Sequence, residues 1–211
     1  MKRLNTNLLV LAASTVLAGM TTGAAPYKAG MAAPTKDAAL HMAMRKLWSD
    51  HVLWTRQYIV SAALDDPSAK SASVRLLRNQ DDIGNAIVPY YGAAAGAKLA
   101  DLLRQHILIA VDLVGAAKAG DKAKQDAADK RWHANAEDIA EFLSKANPNW
   151  PKATLVDMLN RHLALTTREA VDRLTKNWDD DVPNFDNVFS QAMMMADALS
   201  DGIVKQFPAK F

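Results

Sequence analysis

The stretch Leu40-His41-Met42-Ala43-Met44-Arg45-Lys46-Leu47-Trp48-Ser49-Asp50-His51-Val52-Leu53-Trp54-Thr55-Arg56-Gln57-Tyr58-Ile59-Val60-Ser61-Ala62 decides the fold class. Leu40, Met44, Leu47, His51, Trp54, Thr55, Tyr58 and Ala62 recur at spacings of three and four, the repeat of one helix face. Asp65-Asp66-Pro67 ends this pattern and opens the next, so a first helix is predicted over about Lys36 to Leu64.

The same reading extends to the C-terminus. A second helix is predicted over about Ser68 to Val88, closing at Pro89-Tyr90-Tyr91-Gly92. A third runs over about Ala94 to Ala119, with Leu99, Leu102, Leu103, His106, Ile109, Ala110 and Leu113 on one face. Gly120 ends it, and Asp121 caps a fourth that reaches about Ala146 with Trp132, Asn135, Ile139, Phe142 and Leu143 inward. A turn at Asn147-Pro148-Asn149-Trp150-Pro151 precedes a fifth helix, about Lys152 to Asn177, striped by Leu155, Met158, Leu159, His162, Leu165, Thr166 and Glu169. Asp179-Asp180-Asp181 and Pro183 open a sixth that ends near Gln206. No segment alternates with period two, so the fold class is all-α. Short connections make it an up-and-down antiparallel bundle of about six helical segments around a single core. Gly96, close after the Pro89–Gly92 turn, is read as a place where two backbones approach.

The chain upstream has a different character. Met1-Lys2-Arg3, the apolar run Leu8–Ala13 and the small residues to Ala25 form a secretory leader over 1–24, with Thr22 and Ala24 at the −3 and −1 positions of cleavage. Leu17-Ala18-Gly19 is followed by Met20 where lipid attachment needs cysteine. Residues 25–35 read as a flexible linker and 36–211 as the bundle domain. The expected location is periplasmic or extracellular, with no permanent membrane span in the mature chain.

Composition narrows the chemistry. The 211 residues contain no cysteine, which removes disulfides, thiolate metal sites and cysteine nucleophiles. Loss of Lys2 and Arg3 with the leader balances 23 basic against 23 acidic residues. A neutral domain has no electrostatic drive toward nucleic acid. There is no Gly-x-Ser-x-Gly, no phosphate-binding loop and no dinucleotide fingerprint, so the reading leans away from an enzyme.

His51-Val52-Leu53-Trp54-Thr55-Arg56, Leu76-Leu77-Arg78-Asn79, Asp82-Ile83-Gly84-Asn85, Pro89-Tyr90-Tyr91-Gly92, His162-Leu163-Ala164-Leu165-Thr166-Thr167 and Gln206-Phe207-Pro208 occur in an order that resembles a family of small bacterial all-helical proteins without an established function. The resemblance covers roughly Leu47 to the C-terminus and implies a helical domain. Some members carry the label glycosyltransferase. A sugar-nucleotide transferase needs alternating strands and helices with a cleft at strand ends, which this chain lacks. Its one Asp-x-Asp, within Asp179-Asp180-Asp181, opens a helix, where acids complement the N-terminal dipole. The family pattern has an aromatic where this chain has His133, which argues against a ligand role there.

The candidate site is histidine-based. His51, His106 and His162 each interrupt the apolar stripe of a different helix, and bundles build metal sites from inward-facing side chains of several helices. Three imidazoles would suit a transition-metal ion such as zinc, iron or copper. Asp82, Asn85 and Asn135 are expected around them as further ligands or supporting groups, and Trp54 and Tyr58 as ligand-contacting rings. Thr166 and Glu169 are further hydrogen-bond partners for the imidazoles. The alternative is an envelope protein of structural or interaction type, its histidines hydrogen-bonded core residues that specify helix register. Convergence of the three rings on one point favours the first reading; separate amide or carboxylate partners favour the second. Lesser candidates are a Cu(I) set of Met31, His41, Met42 and Met44, and the surface pair His133 and Glu137. Met193-Met194-Met195 reads as packing, since three consecutive residues cannot share a helix face.

Overall fold

The computed structural model describes residues 33–211; the leader expected over 1–24 and the expected linker up to residue 32 lie outside the described residues. Six α-helices follow in chain order: α1 Lys36–Ala63, α2 Ser68–Tyr91, α3 Ala93–Lys118, α4 Lys122–Ala146, α5 Lys152–Thr175 and α6 Trp178–Gln206, with a 3₁₀ turn Pro208–Lys210. The described residues contain no strand. None of these helices is long and apolar enough to cross a membrane.

Local chemistry accounts for the boundaries. Thr35 caps α1 through Oγ1, which accepts from Ala38 N at 3.2 Å, and Asp121 caps α4 by accepting from Lys124 N at 3.1 Å. Gly92 ends α2 with φ +84°, a conformation in which a side chain is strained. The helix runs through Pro89 rather than closing at Val88. Proline removes one hydrogen bond to the carbonyl of Asn85, but Asn85 is exposed, so water can serve that carbonyl.

Each helix packs on its chain neighbour and α6 returns to α1, closing a ring; α1, α3 and α5 also touch one another through the middle. The arrangement is a threefold repeat of a helical hairpin. The buried Met44, Trp48, His51, Val52 and Ile59 of α1 correspond to Leu99, Leu103, His106, Ile107 and Val114 of α3, and to Leu155, Leu159, His162, Leu163 and Ala170 of α5. On the return helices Leu76, Asn79, Ile83 and Ile87 correspond to Trp132, Asn135, Ile139 and Leu143, and to Val188, Gln191, Met195 and Leu199. Hydrophobic periodicity finds each helix but not this repeat; its sequence signal is the near-equal spacing of the three histidines.

The inward face of α1 is rotated from the expected one. Met44, Trp48, His51, Val52 and Ile59 are buried, whereas Trp54 and Tyr58 are only half-buried. Glycine tightens one contact: a Cβ on Gly84 would lie 2.5 Å from Gly96 O, so α2 and α3 cross at backbone contact there. The expected close approach at Gly96 is met, with Gly84 as its partner.

Candidate functional site: a three-histidine layer

The inner helices bring His51, His106 and His162 into one layer at mid-bundle, each less than 5% exposed. The His51 and His162 ring centres are 5.7 Å apart and those of His106 and His162 6.4 Å. Each ring is held by an amide from the following helix, 29 residues on in every hairpin. His106 Nδ1 donates to Asn135 Oδ1 at 2.8 Å, and Asn135 Nδ2 donates to Leu102 O at 3.1 Å. His162 Nδ1 donates to Gln191 Oε1 at 3.1 Å, and Gln191 Nε2 donates to Met158 O at 3.0 Å. Because each NH₂ group is committed to a backbone carbonyl, the amide oxygen faces the ring and assigns the imidazole proton to Nδ1.

The first hairpin departs from this pattern. Asn79 Nδ2 donates to Leu47 O at 3.0 Å, as its counterparts do, but its oxygen accepts from Gln80 Nε2 at 3.2 Å. Gln80 Nε2 also donates to Leu76 O at 2.8 Å and faces His51 Nδ1 at 3.3 Å. The two hydrogens of this NH₂ face three acceptors and Gln80 Oε1 is left without a partner; an NH₂ cannot accept, so His51 Nδ1 has nothing to donate to and the proton of this ring sits on Nε2. The layer therefore presents one N–H, from His51, and two imine lone pairs, from His106 and His162.

All three rings are neutral at physiological pH. Burial, reinforced by the other two imidazoles, pushes His51 down to about 3. Burial and the neighbouring His162 do the same to His106, also to about 3, and burial lowers His162. Trp48 lies 5.5 Å from the His51 ring and Trp132 lies 5.2 Å from that of His106, centre to centre.

A chamber opens on one side of the layer, with about 40 Å³ for the centres of water-sized groups. The three histidines, Thr55, Trp132 and Thr166 line its floor, and Tyr58, Ile59 and Val114 its walls. It reaches Gln125 and the exposed Val171, so it leads toward the surface. On the other side of the layer a second space of similar size is apolar throughout, between Met44, Trp48, Ile83, Leu103, Ile139 and Ile203 among others.

Of the expected surrounding groups, Asn135 is in the layer and Tyr58 lines the chamber. Asp82 and Asn85 are not there: Asp82 is half-exposed and 3.8 Å from Arg75, and Asn85 faces solvent. Asn85 sits on the side of α2 opposite Asn79 and Gln80, and Asp82 at the edge between the two faces. Trp54 lies under the Arg75 guanidinium, 5.6 Å from its centre, away from the chamber. Gln80 and Gln191, not singled out from the sequence, are the actual histidine partners; their signal is the repeated separation of 29. Thr166 lines the chamber without bonding an imidazole, and Glu169 pairs with Arg56 instead.

The lesser candidates separate. Met42 is exposed while Met44 is buried in the core, His41 bonds Asp37 and Asp201 at the surface, and Met31 lies outside the described residues. Exposed His133 reaches back to Asp129, not forward to Glu137.

Beyond the chamber, toward the same end, lies an ion cluster. Arg56 donates to both oxygens of Asp181, at 2.5 and 2.6 Å, and to Glu169 at 3.0 Å; Arg173 donates to Asp181 at 2.9 Å. Glu169 is fully buried with Oε2 unpartnered, and burial pushes its carboxyl up to about 7 against the pull of Arg56. Asp181, although in the first turn of α6, is buried and serves these arginines as well as the helix terminus. The two arginines hold it below the usual carboxylate range despite desolvation, which alone would raise it.

No protein-family model, no curated protein and no solved structure matches the chain. The functional reading therefore rests on the site. Among the described residues no three histidine or carboxylate side chains are placed to hold a metal ion as they stand. Tetrahedral ligation at Zn–N near 2 Å needs ring centres about 5–5.5 Å apart, so the observed layer is wider than a closed metal site.

Proposed function

We propose that the protein is an exported binding bundle and that its three-histidine layer takes a first-row transition-metal ion when the rings draw together by up to about 1 Å. The observation that carries this reading is the tie on the Nδ1 of His106 and His162. A ligating imidazole is usually fixed through its other nitrogen by an outer hydrogen bond that it donates, and these two rings are held that way by side-chain oxygens, whereas His51 Nδ1 faces an NH₂. An amide partner thus does not compete with ligation, because imidazole has a second nitrogen. Neutral rings are also the ligating form. His51 is the weakest of the three, since its Nε2 proton must first leave or move to Nδ1, which faces the Gln80 NH₂.

A second reading has its own support. The same amides donate to the backbone carbonyl one turn before each histidine, so the layer also locks each hairpin in register. Thermal melts of demetallated protein with and without Zn²⁺, Cu²⁺ or Fe²⁺ separate the two. A metal-binding site raises the melting temperature by mass action, about 2.7 kcal/mol at a hundredfold excess over Kd, and the rise disappears in each single His→Ala variant. No shift with any of the three ions leaves the register role.

A further inference from the structure

We propose that in the metal-free protein the chamber floor is a binding site for water, with one molecule that accepts from His51 Nε2–H and donates to the Nε2 atoms of His106 and His162. The inference does not depend on the metal reading. It follows from matching donors to acceptors. Each ring has its Nδ1 committed to an amide, so Nε2 is the nitrogen left for the shared space. Two lone pairs there require donors and one N–H requires an acceptor. A cation leaves the N–H of His51 unmatched, and an anion opposes both lone pairs. A water, or the hydroxyl of an equally small molecule, supplies both functions.

Three further observations agree. Thr166 Oγ1, on α5 one turn beyond His162, is buried in the same chamber without a hydrogen-bond partner, and buried hydroxyls are normally satisfied. A small turn of this side chain would bring its O–H to the floor water and complete a fourfold set around it: two donors, two acceptors. The His106–His162 ring centres, 6.4 Å apart, suit a shared atom at hydrogen-bond distance, for which tetrahedral geometry gives about 6.4 Å; the His51–His162 pair, at 5.7 Å, lies between that and the metal-site spacing. The volume of about 40 Å³ exceeds the roughly 10–15 Å³ one water needs. Trp132 Nε1, also buried in this chamber without a partner, can donate to a second molecule.

The test is a high-resolution crystal structure of metal-free full-length protein, with ¹⁵N-detected tautomer assignment in solution. The proposal expects density about 2.7–3.2 Å from the three Nε2 atoms, His106 and His162 protonated at Nδ1, and His51 at Nε2. Density near 2 Å from the nitrogens, an empty floor, or a His51 proton on Nδ1 overturns it. Thr166→Val, close in shape, keeps the test independent of folding. The three tautomers should stay as they are while the exchange of the floor water with bulk becomes faster. An unchanged exchange rate removes Thr166 from the site.

Discussion

The histidine layer divides the bundle into two halves built from the same six helices. On the side of Met44, Ile83, Leu99, Ile139, Leu155 and Ile203 the interior is apolar and belongs to one continuous core cluster. On the other side the large cluster continues only through Leu113, Ala128 and Trp132, and the rest of the apolar packing breaks into small groups, such as Ile59 with Val114 and Ala170, interleaved with the unpaired Thr166 hydroxyl and the Arg56–Asp181 cluster. Burial of apolar area stabilises the first half whatever its partners are, at about 1.5–3 kcal/mol per large side chain. The second half depends on each polar group meeting a particular mate. One half supplies stability, and the other has the chemical means to bind.

The largest expected contrast is in acid. Burial holds the folded-state pKa of all three histidines below the unfolded value of about 6.5, so their contribution is complete above that pH and is lost as pH falls, for His51 and His106 toward about 3. Each histidine held neutral then costs roughly 1 kcal/mol per pH unit. Urea unfolding at pH 6.5, 5.5 and 4.5 should show a steep loss, and His106→Leu should flatten it. A slope unchanged by that variant would place the acid sensitivity elsewhere.

Next is Asp181→Ala, which leaves Arg56 and Arg173 without their shared carboxylate and should cost about 3–5 kcal/mol in equilibrium unfolding. Arg56→Met combined with Asp181→Leu should recover part of that loss, because replacing ions by apolar groups removes the desolvation penalty. In the apolar half, Ile139→Ala should cost about 2–5 kcal/mol with no change in the pH slope. A changed slope would show that the two halves are coupled.

The smallest effect concerns Glu169. Its folded pKa of about 7 is above the unfolded value, so its contribution is present below about 4.5 and is lost as pH rises through 7. Glu169→Gln should therefore gain on the wild type between pH 5 and pH 8, by about 2–3 kcal/mol. Parallel stability curves for the two proteins would end this account.

The helices and their inward histidines were legible because helix faces and caps are local. Spacings of three and four place His51, His106 and His162 on stripes regardless of what lies opposite, Gly92 and Gly120 end helices through their backbone conformation, and Asp121 starts one through a local side-chain cap. Partners were less legible. Asp82, Asn85 and Asn135 are all amide or carboxylate residues on helices adjoining the histidines, yet only Asn135 meets one. A rotation of one residue, about 100°, decides whether a side chain points in or out, and it also decides between Asn79 and Gln80 as the mate of His51. Arg56 meeting Asp181 across 125 residues has no local signature.

By itself the sequence determined six helices, their short antiparallel connections and three histidines directed inward, since each follows from periodicity or backbone preference within a few turns. Only the tertiary structure decided that the three rings share a layer, that a return-helix amide holds each Nδ1, and that His51 carries its proton on the nitrogen opposite to the other two. Those outcomes depend on how helices distant in sequence are rotated and aligned when packed. A hydrogen bond is sensitive to that alignment at the scale of an ångström, whereas an apolar contact tolerates it.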